Sequence, residues 1–339
     1  VIVFLFQGMT MQKLIFAAAA LPLCLTVACE SRTTGNEGNF VFSYDADDDV
    51  RNFNKPIAVG ASLDLEVRSV GGGEPPVELS AAAPAEEDAE ILEVTSFAGH
   101  EVTVKGLAEG EPLLEVTGTD TEGEELSDSV NLLVRIPEVL KLRHTCADGA
   151  SSAAYLANRR AYIPFDLEME NEQPVIGYGY YPLTSSDPAA VTIVTADSTQ
   201  RNIAVDMGNT PGAYTLDSDI DDTTLTVNVV TEGQIDGVEQ PIAFVVEDID
   251  VGDTNSFYVL PKVGEDLVCQ SSITKEVTSN TPEICTVQEL LEGEDDDLLE
   301  GGWFSITGVA EGECQYTVRY PGGADGAGVE AQFTYPIEP

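Results

Sequence analysis

The 339-residue sequence predicts an all-β chain of tandem two-layer β-sandwich domains. Three observations carry that prediction. Apolar and polar residues alternate with period two in segment after segment, clusters of Gly, Pro, Asn and Asp separate those segments, and two motifs recur about 100 residues apart. A strand sends alternate side chains to opposite faces, so period two is its imprint, whereas a helix would repeat every 3.6 residues.

The alternation is clearest in Leu63-Asp64-Leu65-Glu66-Val67, where apolar and acidic residues take turns. Glu101 to Val104, Leu113 to Val116, Leu225 to Val229 and Tyr316 to Val318 follow the same rule and are read as half-buried strands. One stretch, Val287 to Glu300, has a helix-like composition but is so acidic that it is placed in a loop.

Repetition sets the domain size. Residues 106–111 read Gly-Leu-Ala-Glu-Gly-Glu and residues 308–313 read Gly-Val-Ala-Glu-Gly-Glu, each between two alternating segments. The run Leu183 to Ile193 (LTSSDPAAVTI) parallels Val277 to Val287 (VTSNTPEICTV), and Leu79 to Pro84 is a fainter third copy. The middle of the chain keeps only a degenerate form of the glycine motif, Met207 to Ala213. The glycines are expected at positive φ in tight turns.

These residues resemble the bacterial immunoglobulin-like domain of group 2, familiar from surface adhesins of the intimin and invasin type. That family carries a Ser-Ser-Asp-Pro-like turn before one strand and a Gly-x-Ala-x-Gly turn before another. The resemblance covers most of residues 38–339 and implies tandem immunoglobulin-like β-sandwiches of about 100 residues each. The first is expected at 38–136, opening on the strand Phe40 to Tyr44, and the second at 137–236, opening near Val139 to Leu142. The third is expected at 240–339, opening on Ile242 to Val246. Short junctions at Ile136-Pro137 and Gly237 to Pro241 predict a stiff rod.

The N-terminus predicts export. Lys13 precedes an apolar run from Leu14 to Ala28, too short to span a bilayer as a lone helix and suited to a signal-peptide core. Met9 or Met11 is a better start than Val1, and residues 1–28 are read as the signal peptide. The run ends in Leu25-Thr26-Val27-Ala28-Cys29, which resembles the lipobox of bacterial lipoproteins, although Thr26 stands where that signal favours an aliphatic residue. By this resemblance Cys29 is lipidated, and two or more acyl chains hold a protein firmly where one does not. Cys24 is the poorer candidate, because bulky Leu23 precedes it. Residues 29–37 are read as a lipidated tether, and the polar run Glu30 to Gly38, at about 3.3 Å per extended residue, would lift the first domain by roughly 30 Å.

Composition limits the partners. The chain holds 60 Asp and Glu against 15 Lys and Arg, a formal net charge of -45, which repels nucleic acid and anionic headgroups and attracts cations. Adaptation to a salty medium would produce the same bias, since the screening length falls to about 3 Å at 1 M salt. Nucleic acid is therefore excluded as a partner; the membrane, through the N-terminal lipid, and an envelope protein or polysaccharide remain.

Cys146, Cys269, Cys285 and Cys314 follow the signal, and an even number in an exported chain favours disulfides. Three connectivities stay open. With three of the four in the third domain, one bridge is expected inside it, leaving Cys146 to pair across a junction or remain free. Asp45, Asp47 and Asp49, and again Asp217, Asp219 and Asp221, alternate as hard oxygen ligands for calcium would, without the glycine and glutamate of an EF-hand loop. Solvated acidic loops are the plainer reading, and no cofactor is expected, with calcium as the alternative; zinc is disfavoured because CxxC spacing and histidine ligands are missing. His100 and His144, the two histidines, sit in no metal-binding or nucleophile-activating pattern, and no phosphate-cradling or nucleophile-elbow motif is present. The chain is read as non-enzymatic.

Tyr178, Tyr180 and Tyr181 crowd one segment read as a strand, in which Tyr178 and Tyr180 share a face. Matching the two glycine motifs places Phe304 and Ile306 over the core positions Val102 and Val104, and turns Trp303 outward. Tyr178, Tyr180 and Trp303 are candidate ligand contacts, with burial against a neighbouring domain as the competing role. The expected protein is an exported, lipid-anchored rod at the bacterial outer membrane or cell surface, structural or adhesive. A calcium-stiffened module and an accessory subunit of an envelope or secretion complex are the alternatives.

Overall fold

A computed structural model describes residues 32–44, 53, 55–70, 75–120, 122–147, 149–240, 249–269, 275–289, 303–321, 323 and 328–339. The expected signal peptide and Cys29 lie outside the described residues, as do Asp45, Asp47, Asp49 and the segment Ile242 to Val246. The regular secondary structure of the described residues is almost entirely strand, arranged as three immunoglobulin-like sandwiches in series.

In the first sandwich one sheet runs in the order Arg32–Thr34, Phe40–Tyr44, Ser62–Ser69, Glu101–Gly106, Leu92–Ala98. Glu78–Pro84, Leu113–Thr119 and Glu125–Asn131 form the other. The second sandwich pairs Val139–Leu142, Arg160–Glu168, Asn202–Met207 and Val191–Ile193 in one sheet, and Ser152–Leu156, Thr224–Val230, Gly212–Ser218 and Leu183–Ser185 in the other. The third sets Thr254–Tyr258, Trp303–Gly308 and Cys285–Glu289 against Ile249–Asp250, Val329–Glu338, Gly312–Tyr320 and Glu276–Ser279. Val287 to Glu289, read from sequence as loop, is therefore strand, paired with Phe304 to Ile306. In all three an early strand runs parallel to the last one: Ile57 beside Val134, Ser152 beside Thr226, and Ile249 beside Ile337.

The alternation does what the sequence requires of it. Along Ser62–Ser69, Leu63, Leu65 and Val67 are fully buried while Asp64, Glu66 and Arg68 remain partly exposed. Each such apolar side chain contributes about 1.5–3 kcal/mol by leaving water. Phe304 and Ile306 are buried like Val102 and Val104, as the motif alignment required.

The two glycine motifs occupy equivalent turns. Leu107 and Ala108 both donate N–H to the Ile91 carbonyl, and Val309 and Ala310 do the same to Ile284. The first glycine of each motif, however, does not sit at positive φ. It is needed for close approach: a Cβ on Gly106 would lie 2.8 Å from Val134 Cγ1, and one on Gly308 would lie 2.6 Å from the Asp250 carbonyl. The second glycine of the later motif, Gly312, does take a positive φ of 146°, and positive φ also falls on the partner turn, at Gly60, Asn158 and Gly252. Their N–H groups donate to Gly106, Gly208 and Gly308 respectively, so the middle domain keeps the turn although its motif is degenerate. The faint third copy shifts: Leu79 to Pro84 lies wholly within a strand, and the equivalent turn follows at Ala85 to Leu92.

The expected tether is also shorter than its polarity suggested. Arg32–Thr34 pairs antiparallel with Phe40–Tyr44, and residues 35–39 are bound to the first sandwich. The cause is one inward carboxylate. Asp128, only 3% exposed, accepts N–H bonds from Glu37 (2.9 Å), Asn39 (2.8 Å), Phe40 (2.7 Å) and Ser129 (2.8 Å). Burial pushes its carboxyl pKa up, but the bonds from Glu37, Phe40 and Ser129 outweigh that and hold it below the usual value.

Candidate functional site

The chain's distinctive construction lies at the two joints between sandwiches. At each joint a loop of the later domain is hydrogen-bonded into the earlier one, beside the positive-φ turn just described.

At the first joint the loop follows Arg160–Glu168. Pro174–Val175 pairs back onto that strand, and the next residues cross to the first domain. Ile176 N–H donates to the Pro56 carbonyl and Ala58 N–H to the Ile176 carbonyl, both at 2.9 Å. Ser62 and Tyr178 exchange both backbone bonds at 2.8 Å. The apolar layers interpenetrate: Ile176 packs in the core of the first sandwich, and Ala58 and Ala61 pack in that of the second.

The tyrosine segment is thus a joint rather than a regular strand, because Gly177 and Gly179 take φ of 124° and 84°. Gly177 is obligatory. A Cβ there would sit 2.7 Å from Ala61 Cβ and 2.9 Å from the Ser62 carbonyl, besides the strain of its φ. Tyr178 donates its hydroxyl to Asp64 Oδ1 at 3.0 Å, and Thr103 donates to the same oxygen at 2.7 Å. Burial, and then the bond to Asp64, push the Tyr178 phenol up to about 12. Tyr180 lies over Gly60, where a Cβ would meet its ring at 2.8 Å. Tyr181 meets Phe165 edge-on at 5.7 Å.

The second joint repeats the scheme with a covalent addition. The loop after Thr254–Tyr258 forms a small hairpin, Leu260–Val263 with Asp266–Leu267, onto which Gly237–Glu239 also pairs. Val268 then runs parallel beside Ala154, and Cys269 N–H donates to the Ala154 carbonyl at 2.9 Å. Ala154 stands four residues before Asn158 as Pro56 stands four before Gly60, so Cys269 takes the place that Ile176 takes at the first joint. The Asp266 carboxylate receives Ser152 Oγ at 2.7 Å and Asn228 Nδ2 at 2.6 Å. A disulfide joins Cys146 to Cys269, with Cα atoms 5.1 Å apart. The other bridge, Cys285 to Cys314, ties the two sheets of the third sandwich. Trp303, outward from its own core, is half-buried against Tyr258 with ring centroids 5.1 Å apart, and both pack on the middle domain's core.

His144 sits two residues from the joining disulfide and is 2% exposed. Its Nδ1 lies 2.9 Å from the Tyr155 hydroxyl, while Nε2 has no hydrogen-bond partner among the described residues. Burial pushes its pKa down to about 4, with the Asp266 charge pulling the other way.

The second acidic triplet does not converge. Asp217 accepts hydroxyls from Thr215 (2.8 Å) and Thr224 (3.0 Å), and Asp221 accepts N–H from Leu140 and Thr223, each at 2.9 Å. The strand ends at Ser218, so the alternation that would share a face stops before Asp219 and Asp221. Among the described residues no three His, Cys, Asp or Glu side chains gather closely enough to hold a metal ion.

No protein-family model and no curated protein matches the sequence. Among solved structures, the chain aligns with domains 4–9 of the surface-layer protein SbsC at 12% identity, over 88% of this chain and 47% of that one, with a TM-score of 0.29. It thus spans about half the length of that fragment. The Escherichia coli adhesin FdeC aligns at 12% identity over 84% of this chain and 95% of that one, with a TM-score of 0.25. Titin domains I67–I69 align at 12% over 88% and 98%, with a TM-score of 0.17. Likeness at this level bears on no function.

Proposed function

We propose that this chain is a non-catalytic spacer of the bacterial envelope or cell surface, lipid-anchored at Cys29, that carries a protein- or glycan-binding face on sandwiches locked in series. The observation that carries the reading is the repeated joint. A flexible string of domains needs only linkers, whereas here each later domain inserts a loop into the edge of the earlier one and one such loop is bolted by a disulfide. Domains joined only by small polar contacts move relative to one another. These joints share buried apolar residues and backbone bonds, which favours a stiff array.

The disulfides support export, since such bonds persist in oxidising compartments. The tight attachment of residues 32–40 to the first sandwich alters the geometry of anchoring. Only Glu30 and Ser31 would separate the lipidated cysteine from folded protein, roughly 7 Å of chain in place of a long tether. The first sandwich would then ride close to the bilayer, and its height above the membrane would come from the array.

Intact mass of protein purified from its native membrane tests the anchor. A start at acylated Cys29, with no cysteine alkylated until reduction, is expected; an unlipidated start elsewhere removes the anchor from the account. Of the alternatives, the effect of a chelator on melting temperature and solution shape tests the calcium-stiffened module, and co-purification from solubilised envelopes tests the accessory subunit.

A further inference from the structure

Each joint uses the same edge of the earlier sandwich, and the third sandwich has that edge as well. At the first joint Ala58 N–H, Ser62 N–H and the Ser62 carbonyl take the incoming loop, beside the Gly60 turn. The third sandwich reproduces this turn bond for bond. Gly252 N–H donates to the Gly308 carbonyl, Asp253 N–H to Asp250 and Gly308 N–H to Asp253, as Gly60, Ala61 and Gly106 do in the first. Asp250 thus stands where Ala58 does, and Thr254 where Ser62 does. Val251 N–H donates to the Glu338 carbonyl, so the Asp250 N–H, next along an alternating strand, faces away from Val329–Glu338. The N–H and C=O of Thr254 face outward in the same way, because the bonded pair with Gly308 falls on Asp253. Among the described residues no strand pairs along this edge. Asp250, Asp253 and Thr254 are exposed, and Val251 between them is 44% exposed. The side chains differ from those of the joints. Ala58 and Ala61 are buried in the core of the second sandwich, and Leu156, the counterpart of Ala58 at the second joint, is buried too. In the third sandwich these positions are acidic, and Glu338, level with Asp250, adds another charge.

We infer that this edge receives an extended loop of a sandwich from a separate protein, with lysine or arginine opposite Asp250 and Asp253. The two joints show what such an edge takes, and backbone pairing is what it offers. Permanent interfaces are apolar, as the joints are, whereas exposed acids fit a partner that comes and goes and meets them with cations. A second copy of this chain does not suit the edge. Its net charge of -45 opposes self-association. The corresponding loop of its first sandwich also turns back on its own strand, where Ser69 N–H donates to the Pro75 carbonyl and Arg68 bridges to Pro76. Such docking rests on the reading of an array with a protein-binding face, and deepens it by locating that face on the third sandwich.

Two synthetic peptides of the docked loop, Pro174 to Gly179, one flanked at both ends by lysine and one by glutamate, probe the edge in amide NMR of the purified chain. Saturable shifts at the Asp250 and Thr254 amides are expected with the lysine peptide, at an affinity at least about fivefold above that of the glutamate peptide. The Asp250→Lys, Asp253→Lys double variant should reverse that order. Should it unfold, 1 M salt carries the test on the parent chain, since a screening length of about 3 Å should erase the difference between the peptides. A negative result leaves the spacer reading standing, because hydrogen exchange at the two joints tests that separately. No shift at either amide, equal affinity for both peptides, an order that neither the variant nor salt alters, or self-association of the purified chain that the variant abolishes overturns the docking edge.

Discussion

Two buried ionisable side chains outside the expected site, Asp128 and His144, make the stability of this molecule depend on pH. Asp128 gathers backbone N–H groups from both sides of a turn, and truncating it strands several buried donors at once. Asp128→Ala is expected to destabilise the first sandwich by about 3–4 kcal/mol in urea unfolding and to expose residues 32–40 to proteolysis. Because its folded pKa is depressed, its contribution is present above the unfolded value of about 3.9 and disappears as pH falls through the lower folded one. His144 contributes over a different range. Its folded pKa of about 4 lies below the unfolded value near 6.5, so the unfolded chain binds the extra proton between them. Stability from neutral His144 is complete above pH 6.5 and is lost as pH falls towards 4, by up to about 3 kcal/mol. Melting temperature against pH should therefore fall less steeply over that window in His144→Gln than in the parent chain. Identical slopes would remove His144 from the account.

At the scale of elements, the joints depend on two kinds of fastening. Gly177→Ala places a methyl group against Ala61 and the Ser62 carbonyl and is expected to cost about 2–3 kcal/mol at the first joint. Limited proteolysis should then cut near residues 174–181 while the sandwiches stay folded; protection equal to the parent's would contradict the role given to this loop. Cys146→Ser with Cys269→Ser opens the second joint and leaves the third sandwich its own bridge. The 123-residue separation makes the loss as much as about 5 kcal/mol in the chain-entropy picture. Separate melting of the second and third domains by calorimetry is the expected result, and a single unchanged transition would contradict it. Strands were readable because period two survives in any half-buried sheet, and the turns because their residues repeat. The joint was only partly readable. Tyr178 and Trp303 look alike in sequence whether they face a ligand or a neighbouring domain, and glycines that break the strand alternation at Gly177 and Gly179 were the overlooked sign. Asp128 had a sign too: it stands in the inward row of Leu126 and Val130, where a carboxylate needs partners. His144 had none, because its burial is created by a disulfide and a hairpin distant in the chain.

At the scale of the whole molecule, three sandwiches joined by docked loops rather than linkers are expected to behave as one locked array. The spacing of the repeats points to units of about 100 residues, but no short motif encodes how one domain seats on the next. That information lies in long-range pairings such as Ile57 with Ile176 and Ala154 with Val268. Native-state hydrogen exchange resolved to single amides tests the claim most directly, since opening a joint and unfolding a sandwich expose different N–H groups. The joint amides of Ala58, Ser62, Ile176, Tyr178 and Cys269 are expected to exchange as slowly as Leu65 and Val227 in the adjoining cores. Fast exchange at those five amides, with the core amides still protected, would mean that the sandwiches hang as independent beads.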